Sequence, residues 1–132
     1  MLRKIIAVIV GIVAATLLFM GFESIIERLY PLPHGTDRAD HAAMEAYVKT
    51  LPSTALILVL AGWAVGSFIC GLLIRIIARS ADKTPAYIAG LFLTTAGIVD
   101  IFMVPHPIWF IIIGILLFIP FTLIGHSLYR KK

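Results

Sequence analysis

The sequence contains little charge and almost no cysteine. Asp, Glu, Lys and Arg make up 14% of its 132 residues, whereas about 25% is typical of soluble domains. Its single cysteine, Cys70, excludes an intrachain disulfide and any metal motif built from several cysteines. Hydrophobic residues reach 61% and the mean hydropathy is +1.03, so the composition predicts a membrane protein.

Recognisable motifs of enzymes and of nucleotide or metal sites are also missing. The sequence has no G-x-S-x-G nucleophile elbow and no glycine-rich phosphate loop. Neither H-E-x-x-H nor H-x-x-x-H spacing occurs, and no cofactor is indicated. These absences disfavour an enzyme and leave metal binding without support from local spacing.

Long apolar runs fill most of the chain. A run of about 18 or more residues with few charges predicts a helix that spans a membrane. Four runs meet this criterion: Ile5 to Phe22, Ala55 to Ile74, Ala86 to Val104 and Ile108 to Gly125. We therefore predict one all-α domain over residues 1–132. It is a four-transmembrane-helix bundle with helices at about 2–30, 53–78, 85–104 and 107–129.

The positions of the basic residues predict the topology. Lys and Arg in excess in short loops mark the cytoplasmic side of a membrane. Here they cluster at the chain ends and in the second connection, as Arg3, Lys4, Arg75, Arg79, Lys83, Arg130, Lys131 and Lys132. We predict that both termini are cytoplasmic in a multi-pass protein of the cell inner (plasma) membrane. The net charge of +4 then reflects topology and contact with the lipid bilayer, not nucleic-acid binding.

A polar segment separates the first two spans. Residues 36–50 read TDRADHAAMEAYVKT, in which Thr36 or Asp37 could cap a short helix. Its apolar face would include Tyr47 and Val48. We predict that this helix lies on the outer surface of the membrane.

Small residues recur at spacings of four in the second span, at Gly62, Gly66 and Cys70. Such residues let helix backbones approach closely in lipid. The pattern could serve packing within the chain or a homo-oligomer, and packing within the chain is favoured.

Ionisable residues gather at the outer end of the predicted bundle. Glu23 and Glu27 lie on one face of the first span, and Asp100 lies about one turn before the end of the third. His106 follows in the PHP turn, and His34 lies in the outer loop. Ionisable groups within a span are costly and suggest a functional site. These five residues form the candidate polar cluster.

The cluster is open to three interpretations. In the favoured one, the protein has a structural or accessory role and the cluster ties the outer loop to the bundle. In the second, it is a proton-coupled or metal-binding small transporter that uses Glu23, Asp100 and His106, since histidine and carboxylate together suit zinc, manganese or iron. In the third, it is a membrane-embedded enzyme that acts on a lipid or peptide.

Three segments resemble a family of small bacterial four-helix membrane proteins: GFESIIERLYPLPHG, YVKTLPSTALILVLAGWAVGSF and MVPHPIWFIIIGILLFIP. In that family a glutamate of the first helix precedes a YP-P-G segment, and a PHPxWF turn joins the third and fourth helices. The resemblance covers almost the whole chain and implies this fold and a bacterial inner membrane, without an activity. It marks Glu23, Tyr30, Pro31, Gly35, Pro105, His106, Pro107 and Trp109.

Overall fold

The computed structural model describes residues 2–31, 34, 35, 37, 39–103 and 106–128. Its elements are α1 (Leu2–Leu29), α2 (His41–Thr50), α3 (Ser53–Ala78), α4 (Thr84–Met103) and α5 (Ile108–Leu128). All of them except α2 are long and apolar enough to cross a membrane. The prediction of an all-helical chain with four helices of spanning length is therefore confirmed.

Most predicted helix ends agree with the structure to within a residue or two. The predicted ends at residues 104 and 129, the candidate cap Thr36 and the turn residue Pro105 lie outside the described residues.

The cap of α2 differs from the prediction. Asp40, not Asp37, caps the helix, because its carboxylate accepts hydrogen bonds from the backbone N–H groups of Ala42 and Ala43 at 3.1 and 3.3 Å. Asp37 instead accepts a bond of 2.9 Å from the backbone of Ala39 in the turn before the helix. Two aspartates three residues apart offer the same capping chemistry, so the sequence alone did not distinguish them.

The connection between α3 and α4 is organised by Asp82. Its carboxylate accepts hydrogen bonds from the Thr84 backbone N–H at 3.0 Å and from Lys4 Nζ at 2.9 Å. These two bonds hold the pKa of Asp82 well below its ordinary value. Thr84 is the first residue of α4, and Asp82 provides the oxygen that caps its backbone N–H. The Lys4 contact ties the start of α1 to this connection.

The long helices form a ring. α1 packs along α3, α3 along α5 and α5 along α4, whereas α1 and α4 meet over a shorter contact. The closest approach joins α3 and α5. An added Cβ at Gly71 would lie 1.8 Å from the carbonyl oxygen of Thr122, and one at Gly125 would lie 2.0 Å from that of Phe68. The two backbones therefore touch at this crossing.

The small residues at Gly62, Gly66 and Cys70 face α1. An added Cβ at Gly62 would lie 2.7 Å from the Phe22 ring, and one at Gly66 would lie 2.4 Å from the Phe19 ring. Farther along, Cys70 lies against Gly11 of α1 in the same way. Side chains of α1 therefore occupy this stripe within the chain.

The bundle has two chemically different ends. The basic end holds Lys4, Arg75, Asp82, Lys83 and His126. Lys4 binds the Asp82 side chain, and His126 lies close enough to Arg75, Lys83 and Asp82 to interact with them electrostatically. These contacts bring the start of α1 and the end of α5 to the same connection. The opposite end, called the α2 end, holds α2 with Glu23, Glu27, Asp100 and His106.

Candidate functional site

A cavity of about 280 Å³ lies at the α2 end, between α1, α2, α3 and α4. Four of the five residues of the candidate polar cluster line it: Glu23, Glu27, Asp100 and His106. The sequence did not single out Tyr47 of α2 as a lining residue. The remaining walls are apolar and consist of Ile26, Met44, Val48, Leu51, Leu56, Val59 and Met103.

Helix geometry explains why these residues line one cavity. Glu23 and Glu27 are four residues apart on α1, so both project to one face of that helix. Asp100 comes from the last turn of α4, and His106 follows that helix closely enough to interact electrostatically with the Asp100 carboxylate. Glu23 is exposed, whereas the other three side chains are half-buried. Three acidic groups and one imidazole thus share a largely apolar space.

A smaller recess of about 160 Å³ adjoins the cavity within the bundle. Glu23 and Asp100 line both spaces, so the two spaces adjoin at these residues. The other walls of the recess are Phe19, Trp63, Leu93, Ala96, Gly97 and Phe118. Farther along, towards the basic end, Ala15, Cys70 and Ile74 are completely buried. The packing therefore closes the recess in that direction.

Aromatic rings link His106 to the recess. The His106 ring stacks on Phe110 with 4.5 Å between ring centroids and 8° between planes. Phe110 contacts Trp63 edge-on at 5.2 Å, and Trp63 contacts Phe118 at 5.1 Å. Offset and edge-to-face contacts of this kind are favourable. They hold the imidazole in a fixed position at the wall of the cavity.

The helix α2 covers part of the cavity. Its side chains Met44 and Val48 are each 8% exposed, because they pack onto the bundle. The Tyr47 hydroxyl donates a hydrogen bond to the carbonyl oxygen of Tyr30, just after the end of α1. These contacts help to hold α2 against the bundle.

One predicted member of the cluster lies elsewhere. His34 is exposed in the connection between α1 and α2 and is not among the residues that line the cavity. Nothing in the sequence indicated this, because the fold of a proline-rich connection is set by contacts that local patterns do not encode. Within the described ranges, no three His, Cys, Asp or Glu side chains converge in a way that could hold a metal ion.

Comparisons of the chain with protein-family models, with curated proteins and with solved structures give no match. Membership of the small bacterial family therefore stays a prediction, and the site is interpreted from its geometry.

Proposed function

We propose that this multi-pass membrane protein binds a small organic cation in the cavity at the α2 end. The observation that carries the proposal is the convergence of Glu23, Glu27 and Asp100 on one largely apolar cavity. Carboxylates bind ammonium groups through strong charge-assisted hydrogen bonds. Apolar walls with a few polar groups are typical of small-molecule sites. Together they favour an ammonium group that carries a short apolar body.

Binding at this site is coupled to protons. A carboxylate that binds a cation must be ionised, so protons and the ligand compete for Glu23 and Asp100. Both residues lie at the boundary of the recess, where a ligand would pass between the two spaces. Competition of this kind is what proton-coupled transport of a cation requires, and we propose transport as the activity that the site serves.

The orientation of the bundle completes the proposal. The basic residues Lys4, Arg75 and Lys83 share one end of the bundle. Since Lys and Arg accumulate on the cytoplasmic side, we place this end and both termini there. The α2 end then faces outward from the inner membrane of a bacterial cell, so the cavity receives its ligand from outside.

A structural role is the competing proposal. It holds that the polar cluster only fastens α2 to the bundle. The contacts that hold Met44 and Val48, and the bond from Tyr47 to Tyr30, involve no carboxylate. α2 therefore has attachments besides the cluster, and the two proposals differ in what the loss of one carboxylate should do to binding and to stability.

Trp63 provides a way to measure binding. It lines the recess, so its fluorescence should change when an alkylammonium ion enters. We expect saturable quenching during titration with methylammonium to tetraethylammonium salts, and weaker binding at acidic pH. The variants Glu23→Gln and Asp100→Asn should each lose at least about tenfold in affinity, since a hydrogen bond to a charged group contributes about 1.5–3 kcal/mol.

Glu45→Gln is the matched control for this titration. Glu45 also carries a carboxylate at the α2 end, but it pairs with Lys49 at 3.2 Å and does not line the cavity. The affinity of this variant for the ammonium ions should equal that of the unchanged protein. A fastening role predicts a different result: no ammonium ion binds saturably, and Glu23→Gln and Asp100→Asn only lower the stability of the protein. That result would overturn the binding proposal.

A further inference from the structure

A second, largely apolar groove of about 370 Å³ lies at the basic end, where α1 and α4 meet. Its walls come from Ile5, Val8 and Ile9 of α1 and from Pro85 and Ile88 of α4. Ile5, Ile9 and Ile88 are 49%, 57% and 53% exposed, so the groove opens sideways out of the bundle. In a membrane this side faces the acyl chains of the surrounding lipid.

Lys4 brings a cationic side chain to the mouth of the groove, and other basic residues lie at the same end of the bundle. Lys4 lines the groove, and Arg3 is exposed beside Lys4 at the start of α1. Lys83 precedes α4 and, like Arg75, lies near enough to His126 to interact with it electrostatically. From Lys4 to Ile9 the apolar wall extends about 7.5 Å along α1, at about 1.5 Å per residue. A cationic mouth above an apolar wall is complementary to an anionic headgroup above an acyl chain.

We propose that the groove between α1 and α4 is a binding site for an anionic phospholipid. One acyl chain lies along Val8, Ile9 and Ile88, and the phosphate contacts Lys4. This site is separate from the cavity at the α2 end and does not depend on the function proposed for that cavity.

Asp82 is the acidic residue at the mouth, and its contacts explain why it does not exclude the phosphate. Its carboxylate accepts hydrogen bonds from the Thr84 backbone, the Thr84 hydroxyl and Lys4. The Lys4 ammonium has three N–H donors, so it can bind Asp82 and a phosphate oxygen at once. Arg3 and Lys83 adjoin Lys4 and Asp82 in the sequence and are exposed, so they add positive charge at the same end of the bundle.

Native mass spectrometry can test this site on the full-length protein in detergent. The protein is mixed with equal amounts of phosphatidylglycerol and phosphatidylcholine, and the retained lipid is counted. We expect one retained phosphatidylglycerol and about a fivefold preference over phosphatidylcholine, in line with the effect of one basic residue near an anionic lipid. Ile88→Trp fills the groove and should abolish the retention of this lipid.

Ile124→Trp is the matched control. Ile124 is 48% exposed and lies near the basic end of α5, outside the groove, so this variant should retain the lipid unchanged. Equal retention of the two lipids, or equal behaviour of the two tryptophan variants, would overturn the proposal.

Lys4→Gln and Asp82→Asn both break the ion pair, but only Lys4→Gln removes the side chain that contacts the phosphate. A comparison of the two variants therefore distinguishes headgroup recognition from the ion pair. The lipid site predicts that Lys4→Gln loses the fivefold preference whereas Asp82→Asn keeps or increases it. If both variants lost the preference equally, the ion pair alone would matter and a phosphate contact with Lys4 would be excluded.

Discussion

Replacement of Gly71 by alanine is expected to destabilise the protein by about 3 kcal/mol, the upper end of the usual cost of overpacking. The added methyl group would meet the carbonyl oxygen of Thr122 at 1.8 Å. Because that oxygen belongs to the backbone of α5, no rotation of a side chain can relieve the overlap. The two helices must move apart along their whole contact, and other packing between α3 and α5 is lost with it.

Unfolding of the purified protein by SDS, followed by circular dichroism, measures this change in stability. Gly125→Ala should behave like Gly71→Ala, since its added methyl group would lie 2.0 Å from the carbonyl oxygen of Phe68. Gly21→Ala is the control, because nothing lies within 4 Å of its added Cβ. Alanine stabilises a helix by about 1 kcal/mol relative to glycine. The stability of this variant should therefore be unchanged or slightly higher. Equal stability of all three variants would contradict the close crossing of α3 and α5.

Replacement of Trp63 by alanine is expected to cost about 3–5 kcal/mol, as is typical when a large aromatic side chain is removed from a core. The indole is 4% exposed and contacts both Phe110 and Phe118. Its loss leaves a cavity beside the recess and removes the ring that supports Phe110. Since Phe110 carries the stacked His106 ring, the imidazole should lose its fixed position as well.

Trp109→Ala is the matched control for this substitution. Trp109 is 39% exposed and lies at the start of α5, so its replacement should cost about 1 kcal/mol or less. Circular dichroism during SDS unfolding compares the two variants without relying on tryptophan fluorescence. If Trp109→Ala lowered the stability as much as Trp63→Ala, the aromatic contacts beside the recess would not be a main source of the core's stability.

Much of the fold could be predicted from composition because long apolar helices satisfy their backbone hydrogen bonds locally. The runs that end near Phe22 and Ile74 predicted α1 and α3, and the run that begins at Ala86 predicted α4. The crossing at Gly71 and Gly125 could not be predicted in the same way. Both glycines lie in apolar runs that contain other glycines, and only the relative rotation of two distant helices selects this pair.

Part of the candidate site could be predicted from the sequence. Asp100 stood out because charges inside apolar runs are rare. Glu23 and Glu27 stood out because they follow the first run on one face of the same predicted helix. Tyr47 and Trp63 did not stand out, since aromatic residues are common at membrane surfaces and in cores. Their roles depend on how α2 folds back and on which face of α3 turns inward, and neither follows from local sequence.

Both proposed sites depend on one arrangement of the bundle, in which the α2 end and the basic end lie on opposite sides of one membrane. Ala46→Cys and Ala81→Cys place single exposed thiols on α2 and in the connection between α3 and α4. The native thiol of Cys70 is completely buried, so the unchanged protein serves as the background. A membrane-impermeant maleimide applied to intact cells should label Ala46→Cys, and should label Ala81→Cys only after permeabilisation. Labelling of both positions from outside, or of Ala81→Cys alone, would contradict the account.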